Sequence, residues 1–315
     1  MADTYEQLSP NFSRYEKLGE GPSGQVYRAW DRENHHFVAL KVLWPHLIDI
    51  VGFRARLAST IQALAGCEHP NLATVYRLEN ANGRYFVVSE YIEGITLREL
   101  ITCGPMDNDT FLHIAMQIAD GLAFAHDRLV THGNLKPSNV ILTEDGRAKI
   151  MDFGLPWWRG RQNLSKDVDE LESLAYLSPD QIARQDDSPA ADLFASGVLF
   201  YEMLTGRRLA GCEEPGTLPN LILIKPPELT LLRSVGVPRD TTLLVEKLLS
   251  KDSSERLNNS RELSVTLREM QAFEREAVGR THEEGKPRAA RQYLALSLLA
   301  LLLVVFWFVV TTYRH

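Results

Sequence analysis

A glycine-rich stretch near the start of the chain has the residue types and spacing of a phosphate-binding turn. Gly19, Gly21 and Gly24 form a G-x-G-x-x-G pattern, and Val26 follows two residues later. Glycines in such a turn let backbone N–H groups come close to a phosphate. Dinucleotide-binding folds share this pattern, but there the turn leads into a helix, whereas here it leads into the strand-like stretch QVYRAW. The spacing therefore predicts a phosphate-binding turn between two strands.

The residues on either side of this turn predict a β-hairpin followed by a third strand. YEKLGEGPSGQVYRAW, residues 15–30, alternates apolar and polar positions around the glycines, and HHFVALKVL, residues 35–43, has the composition of a short strand. Pro22 removes one backbone donor from the tip of the hairpin. We therefore expect a looser grip on a phosphate than the glycine pattern alone implies.

From this point the chain resembles the eukaryotic-like protein kinases, notably the bacterial membrane-bound Ser/Thr kinases. The resemblance covers about residues 13 to 272 and rests on motifs in the right order: GEGPSGQV, VALK, EHPNL, FVVSEYIEG, HGNLKPSN, MDFG, YLSPDQ, ADLFASG and KDSSERL. It implies an α+β fold with the bilobal protein-kinase architecture. A β-rich N-lobe is expected over about 13–93 and a helical C-lobe over about 94–275.

The resemblance also implies a nucleotide site in the cleft between the lobes, with ATP and Mg²⁺ as its ligands. Lys41 matches the lysine that holds the α- and β-phosphates, and its VALKVL setting favours this role over that of a solvated surface lysine. Asn139 and Asp152 match the two metal ligands, and an amide oxygen and a carboxylate suit Mg²⁺. Backbone groups of Glu90 and Ile92 are expected to hold the edge of the base.

Small and apolar residues complete the expected nucleotide site. The positions that sandwich adenine in the family fall at Val26, Ala39 and Ile141, although core packing would favour the same residue types. Ser89 falls at the gatekeeper position, and its small side chain predicts a deeper pocket behind the adenine. The expected cofactor-binding residues are Gly19, Gly21, Gly24, Val26, Ala39, Lys41, Glu90, Ile92 and Ile141.

The catalytic positions of the family fall in HGNLKPSN, at Asn134 and Lys136. Asn134 stands where the family has the aspartate that accepts the proton of the substrate hydroxyl. An amide can orient a hydroxyl, but it does not act as a base near neutral pH. A general base contributes roughly 10²- to 10⁴-fold, and active kinases turn over at about 1 to 100 per second. Loss of the base alone therefore predicts a turnover of roughly 10⁻⁴ to 1 per second.

The helix glutamate that pairs with the strand lysine in the family is also absent. Counting back from EHPNL places Thr60 at its position, and no Asp or Glu occurs between residues 53 and 67. A shift of the alignment by one helical turn therefore cannot supply a carboxylate. We expect Lys41 to be held only by a phosphate or by Asp152.

The activation segment of the family matches LPWWRGRQNLSKDVDELESLAYL, residues 155–177. Gly133 replaces the arginine that commonly reads a phosphate on this segment. Ser165 and Ser173 are candidate phosphorylation sites there, but acidic residues surround both of them, and an added phosphate would meet like charge. We therefore expect that phosphorylation of this segment is not the switch that sets the state of the protein.

Other residues match structural positions of the family. Asp180 in SPD stands for a glutamate that pairs with an arginine, here Arg256, and it keeps the charge with one methylene less. Asp192 is expected to anchor the backbone around His132. These contacts concern packing and are expected whether or not the protein catalyses a reaction.

Composition narrows the class of protein. The chain has 315 residues, of which 44% are hydrophobic and 24% charged, as in an ordinary globular core. Its net charge of −7 argues against a nucleic-acid partner. Three widely spaced cysteines favour free thiols in a reducing compartment. We expect an N-terminal tail over 1–12 and a kinase-like domain over 13–275.

The C-terminal residues predict a membrane anchor. Tyr293 to Val310 is a run of eighteen uncharged residues, which as a helix spans ~27 Å against a bilayer core of ~30 Å. A buried core helix is the alternative, but such a helix is rarely apolar all round. Four basic residues lie within 280–291 and only Arg314 follows, which favours a cytoplasmic kinase-like domain. The prediction is a single-pass protein with a juxtamembrane linker over 276–292 and a transmembrane helix over 293–313.

Three functions are compatible with these patterns. The favoured hypothesis is a membrane-tethered pseudokinase that binds Mg-ATP and acts as a signalling or scaffolding module through protein partners that the sequence does not identify. The alternative is a weakly active Ser/Thr protein kinase that transfers the γ-phosphate of ATP to protein hydroxyls. A structural membrane protein without nucleotide is the third, and it requires that the loop at Pro22 and the altered surroundings of Lys41 prevent binding.

Overall fold

The computed structural model describes residues 8–155, 172–184, 187–210 and 218–284. By its internal contacts the chain divides into a unit over Met1–Arg268 and a second unit over Glu269–His315. Among the described residues, no helix combines the length and the apolar character needed to cross a bilayer. The predicted transmembrane helix over 293–313 lies outside the described residues.

Five strands form the N-lobe sheet: β1 (Phe12–Gly21), β2 (Gly24–Asp31), β3 (His36–Leu43), β4 (Val75–Ala81) and β5 (Arg84–Glu90). They pair antiparallel in the order β1-β2-β3-β5-β4. The predicted hairpin is confirmed, because β1 and β2 pair up to Gly21 and Gly24 with only two residues between them. Apolar side chains of the sheet form a core with a residue that precedes β1, and its buried members are Leu8, Phe12, Tyr27, Ala29, Val38, Leu40, Phe86 and Val88.

Two helices, α1 (Pro45–Ile48) and α2 (Phe53–Leu64), lie between β3 and β4 in the chain. The buried residues of α2 recur every three or four positions, at Phe53, Leu57, Ile61 and Leu64. This spacing puts them on one stripe of the helix, so hydrophobic burial fixes which face of α2 points inward. Thr60 precedes the third of these residues and is half-buried.

The C-lobe begins with a small sheet and two helices. Strands β6 (Ile95–Thr96), β7 (Val140–Leu142) and β8 (Ala148–Ile150) pair antiparallel in that order. Helix α3 (Leu97–Thr102) starts with a capping box between Thr96 and Glu99, and the side chain of Asp107 caps α4 (Asn108–His126) at the backbone N–H of Thr110. A single 3-10 turn, Pro137–Asn139, precedes β7.

The remaining helices build the body of the C-lobe. They are α5 (Pro179–Arg184), α6 (Pro189–Thr205), α7 (Leu218–Ile224), α8 (Thr230–Ser234), α9 (Arg239–Leu248) and α10 (Ser260–Glu284). Every residue of α6 from Ala191 to Thr205 is buried, which makes it the central helix of this lobe. The predicted bilobal fold, with a β-rich N-lobe and a helical C-lobe, is confirmed. Helix α10 continues to Glu284, so the part of the expected linker within 276–284 is helical.

A buried arginine joins three parts of the C-lobe. The guanidinium of Arg256 lies 2.8 Å from the carboxylate of Asp180 and donates to the carbonyl oxygens of Ala190, Ser250 and Lys251. The side chain of Arg256 is fully buried. The expected brace between Asp180 and Arg256 is therefore present, and the shorter aspartate spans the gap.

Replacement of Arg256 by Met should destabilise the protein by about 3 kcal/mol, because it leaves a largely buried carboxylate without its counter-charge. Chemical denaturation of the variant and the wild type measures the difference. The control is Lys17→Ala, which removes an ion pair with Glu20 whose side chains are 44% and 53% exposed, and it should cost far less because solvent screens the pair. Equal losses of stability in the two variants would show that the buried pair of Arg256 with Asp180 stabilises the protein no more than the exposed pair does.

Candidate functional site

A cavity of about 440 Å³ lies between the N-lobe sheet and the C-lobe. All thirteen side chains and backbone positions expected at the site line it. From the N-lobe and the segment that joins the lobes these are Gly19, Gly21, Gly24, Val26, Ala39, Lys41, Glu90 and Ile92, and from the C-lobe Asn134, Lys136, Asn139, Ile141 and Asp152. Residues far apart in the chain thus meet in one place.

The glycine turn leaves the space at the mouth of this cavity open. Gly24 has a φ of +154°, and a Cβ added to it would lie 2.0 Å from the carbonyl oxygen of Val42, so a larger residue would force β2 away from β3. A Cβ added to Gly19 or Gly21 would meet nothing within 4 Å. The third glycine therefore closes the hairpin onto the sheet, while the first two keep backbone accessible to a ligand.

Lys41 and Asp152 form an ion pair inside the cavity. Lys41 lies on β3, and Asp152 follows β8, so the pair joins the two lobes. The two side chains are 13% and 23% exposed, which makes a counter-charge necessary for each of them. Asp152 also has a φ of +66°, an unusual conformation for a residue with a side chain, and such conformations concentrate at functional sites.

Thr60 has no charge with which to pair Lys41, and its side chain packs elsewhere in the cleft. A Cβ added to Gly154 would lie 2.7 Å from Cγ2 of Thr60, so this threonine packs directly on the glycine of the MDFG motif. Of the two partners expected for Lys41, the structure shows Asp152. Helix α2 thus contributes contact and no counter-charge to this part of the cleft.

Asn139 is held by the loop that carries Asn134. Its amide nitrogen donates to the carbonyl oxygen of Asn134 at 2.8 Å, and its backbone carbonyl accepts from Met151 at 2.9 Å. Two further polar atoms of the lining, Oδ1 of Asn134 and Oγ of Ser138, are buried and have no hydrogen-bond partner within the described part of the chain. Buried polar atoms of this kind are costly unless a ligand or water satisfies them. The donor set therefore fits a polar ligand with a bound hard cation.

The segment that joins the lobes, Glu90 to Ile92, lines the cavity. The Glu90 carboxylate is held 2.9 Å from the ammonium of Lys149 and accepts from the backbone N–H of Thr74 at 3.0 Å. The Glu90 side chain is thereby turned to the protein. The cavity also reaches past Ser89, as its small size predicts, to apolar residues that include Leu57, Ile61, Leu64, Val87 and Phe153.

Asp192 holds the loop that carries Asn134. Its carboxylate accepts from the backbone N–H groups of His132 at 2.7 Å and Gly133 at 2.8 Å, and from Nε2 of His126 at 2.9 Å. Burial raises the pKa of Asp192, but the hydrogen bond and charge of His126 and the other donors outweigh it and lower the pKa overall. The expected anchor around His132 is therefore present.

Gly133 lies against the carboxylate of Asp187, which no sequence motif indicated. Its φ is +73°, and a Cβ added to it would lie 3.4 Å from the Asp187 carboxyl carbon. The side chain of Gln181 donates to the carbonyl oxygen of Gly133 at 3.0 Å and to Asp187 at 3.2 Å. Arg56 of α2 lies 3.5 Å from the same carboxylate. An arginine from the N-lobe therefore reaches the position next to Gly133.

Ser173 is buried, so its suggested role as a phosphorylation site does not fit this structure. It is 1% exposed, and the ammonium of Lys136 donates to its hydroxyl at 2.7 Å. A protein kinase would have to unfold this segment to reach the hydroxyl. Ser165, the other candidate, lies outside the described residues.

Glu172 is a further lining residue that no local motif revealed. Its carboxylate lies 2.6 Å from the guanidinium of Arg98 on α3 and 3.5 Å from that of Arg208. Arg98 also pairs with Glu202 at 2.5 Å. Burial lowers the pKa of Arg98, but its acidic neighbours outweigh that effect and raise the pKa, so this arginine stays charged.

Comparison with known proteins agrees with this geometry. The family described as "Protein kinase domain" matches residues 12–266. The chain belongs to this family. Among curated relatives, the serine/threonine-protein kinase PrkC of Bacillus subtilis is 31% identical over 203 residues, and PknD of Mycobacterium tuberculosis is 28% identical over 270 residues. The matches cover 64% and 84% of this chain but only 31% and 41% of those two proteins.

Solved structures show the same fold. The PknI kinase domain of Mycobacterium tuberculosis superimposes with a TM-score of 0.68 and 22% identity, and the match covers 85% of this chain and 99% of that domain. At this identity the likeness concerns the fold alone.

The stability of the protein should fall as the pH falls below about 6.5, the usual pKa of histidine. Nδ1 of His132 accepts from the backbone of Asn134 and Nε2 donates to the carbonyl of Met151, so the contacts require a neutral ring. Burial lowers the pKa of His132. The unfolded chain therefore binds one more proton than the folded protein just below this pH, at a cost of up to ~1.4 kcal/mol per pH unit.

The measurement is the free energy of unfolding between pH 7.5 and 5 for the wild type and for His132→Gln, which cannot titrate. The slope of the free energy of unfolding against pH should be smaller in the variant, by the equivalent of about one bound proton. His69, whose pKa is also lowered by burial, contributes to the slope in both proteins and cancels in the comparison. An unchanged slope would assign the pH dependence to other groups.

Proposed function

We propose that this chain binds Mg-ATP in the cleft and acts as a kinase-like signalling module of the pseudokinase type, in which phosphotransfer is slow and nucleotide occupancy carries the signal. The observation that carries the proposal is the ion pair between Lys41 and Asp152 in the cavity that Asn139 also lines. In this assignment Lys41 meets the phosphates, and Asn139 and Asp152 hold Mg²⁺. The cation would neutralise charge on the phosphates.

In this assignment the adenine base of ATP occupies the end of the same cavity that lies opposite the phosphates. Val26 and Ala39 of the sheet and Ile141 of β7 line it and supply apolar contact. The side chain of Glu90 is engaged with Lys149. The edge of the adenine base would therefore meet the backbone groups of this segment.

Slow phosphotransfer follows from the catalytic loop. Asn134 is placed by the anchored backbone around His132 and lines the cavity, but its amide cannot accept a proton from a hydroxyl. Positioning and charge stabilisation remain, and they supply most of the catalysis in phosphoryl transfer. A slow Ser/Thr kinase whose output is the transfer itself is the second candidate, and the retained Lys136 of the catalytic loop, which lines the same cavity, favours it.

A thermal-unfolding experiment on the full chain in mild detergent tests the proposed nucleotide site. Mg-ATP at 100 times its dissociation constant should stabilise the protein by roughly 2.7 kcal/mol, which corresponds to a rise in Tm of about 5 to 10 °C. Lys41→Met and Asp152→Ala should each remove most of the shift, because each takes away one charge that the ligand needs.

The matched control is Lys225→Met, which removes an exposed lysine that does not line the cavity and should leave the shift unchanged. No shift at several millimolar ATP would overturn the proposal and would favour a structural role without nucleotide.

A membrane tether is part of the proposed function, and the uncharged run from Tyr293 to Val310 supports it. In fractionated cells, the full chain should stay in the membrane pellet after an alkaline wash, whereas a variant that lacks 293–313 should be released. Release of the full chain by the wash would refute an integral anchor.

A further inference from the structure

Helix α2 contacts the C-lobe through a stripe of its own. Arg56 and Thr60 are four residues apart, so their side chains lie on the same face of the helix. Thr60 packs on Gly154 of the MDFG motif, and Nη1 of Arg56 lies 3.5 Å from Oδ2 of Asp187. The buried apolar stripe that includes Leu57 lies beside this face. Helix α2 is thus attached to the C-lobe at two points, one by packing and one by charge.

The C-lobe holds Asp187 in place for this contact. The side-chain nitrogen of Gln181 donates to Oδ1 of Asp187 at 3.2 Å and to the carbonyl oxygen of Gly133 at 3.0 Å. Gln181 is buried, and its amide oxygen accepts from the backbone N–H of Ser178 at 2.9 Å. The side chain of Asp187 is only 9% exposed. The oxygen that faces Arg56 therefore belongs to a carboxylate whose other oxygen is linked to the catalytic loop.

The charges around position 133 are the reverse of those that the family pattern implies. An arginine at this position would bring a positive charge into the catalytic loop, whereas Gly133 brings none and the carboxylate of Asp187 lies beside it. The positive charge comes instead from α2, at Arg56. Because Thr60 offers Lys41 no carboxylate, the ion pair of Arg56 with Asp187 attaches α2 in a way that does not depend on Lys41.

A movement of α2 would reach a proposed metal ligand through Gly154. A Cβ added to Gly154 would lie 2.7 Å from Thr60, so no free space separates the helix from this glycine. Gly154 follows Asp152 by two residues, and the φ of +66° at Asp152 is a conformation that surrounding contacts must maintain. Loss of α2 from the C-lobe would remove one of these contacts from the MDFG turn.

We infer that Arg56 and Asp187 are positioning residues for the nucleotide site: their ion pair holds α2 on the C-lobe, and α2 in turn keeps Asp152 in place for the cation of Mg-ATP. This inference deepens the proposed function and rests on its nucleotide site. Neither Arg56 nor Asp187 lines the cavity, so both act through α2 and not by touching the ligand. Because the side chain of Arg56 is 36% exposed, the pair should contribute little to global stability. Its effect is expected in the position of α2 and in the affinity for Mg-ATP.

Four variants of the full chain in mild detergent separate positioning from simple structural support. Arg56→Met removes the positive charge, Arg56→Lys keeps it, and Asp187→Asn removes the negative charge at constant size. The double variant, Arg56→Met with Asp187→Asn, tests whether the two residues act through one contact. The matched control is Arg54→Met, because Arg54 lies on the same helix but contacts the N-lobe, with Nη1 3.2 Å from the hydroxyl of Tyr85.

The test measures the dissociation constant of Mg-ATP and, without nucleotide, the hydrogen exchange of residues 53–64. Arg56→Met and Asp187→Asn should each weaken Mg-ATP binding by about two- to fivefold, the range that corresponds to a partly exposed ion pair, and should speed the exchange of α2. The double variant should bind no more weakly than either single variant. Arg56→Lys should retain most of the affinity, and the effect of Arg56→Met should shrink at about 1 M salt, which screens the wild-type pair.

Arg54→Met should leave the dissociation constant unchanged, and the Tm without nucleotide should be the same in all the variants. Either a wild-type affinity or a wild-type exchange of α2 in Arg56→Met would overturn the inference. Additive losses in the double variant would also overturn it, because the two residues would then act separately. A merely structural role would appear as a lower Tm with an unchanged dissociation constant. If Mg-ATP does not raise the Tm of the wild type, the proposed function itself fails. If it does and its affinity is insensitive to Arg56, only the present inference fails.

Discussion

The ion pair between Lys41 and Asp152 is the contact on which the cleft depends. Both charges are largely withdrawn from water, and a charge in such surroundings is costly without an opposite partner. Helix α2 supplies no carboxylate, so this pair is the electrostatic link that the described residues provide between β3 and the strand that leads to Asp152. In the proposed complex, Mg-ATP would replace this pair without leaving either charge alone, because phosphate would take the lysine and the cation would take the aspartate.

A second constraint, independent of the nucleotide, fixes the catalytic loop. Asp192 is buried, and its carboxylate takes the backbone N–H groups of His132 and Gly133 together with a donor from His126. His126 in turn contacts the Ser260 hydroxyl at 2.9 Å, so the start of α10 joins the same network. These contacts hold the backbone of the loop and require nothing of the side chain at position 134. The loop can therefore keep its shape after the base is lost.

Local patterns predict the strands around the glycine turn, and the ordered motifs, through the resemblance to the protein kinases, predict the bilobal fold and the lining of the cleft. Glycine spacing, strand alternation and short motifs are each contained within a few residues. The contact between Arg56 and Asp187 joins residues 131 positions apart, and the pair of Arg98 with Glu172 joins α3 to the activation segment. No local pattern marks either of them. Ser173 illustrates the same limit, since its acidic neighbours suggest an exposed segment, whereas packing against Lys136 buries it.

At positions 60 and 133, where the chain departs from the family pattern, the residues present fit their surroundings. Thr60 packs on Gly154, and the carboxyl carbon of Asp187 lies 3.4 Å from where the Cβ of a side chain at position 133 would be, with Arg56 of α2 beside it. Both sites are thus filled by contacts that suit the residues now present, and consistency of this kind stabilises a fold. The groups that are kept, Lys41, Asn139 and Asp152, are those proposed to bind the ground state of a phosphate ligand. The carboxylate that the family pattern has at position 134 would act in the transition state. Because only interactions that strengthen in the transition state accelerate chemistry, a kinase fold can lose much of its rate in this way while its affinity for nucleotide is preserved.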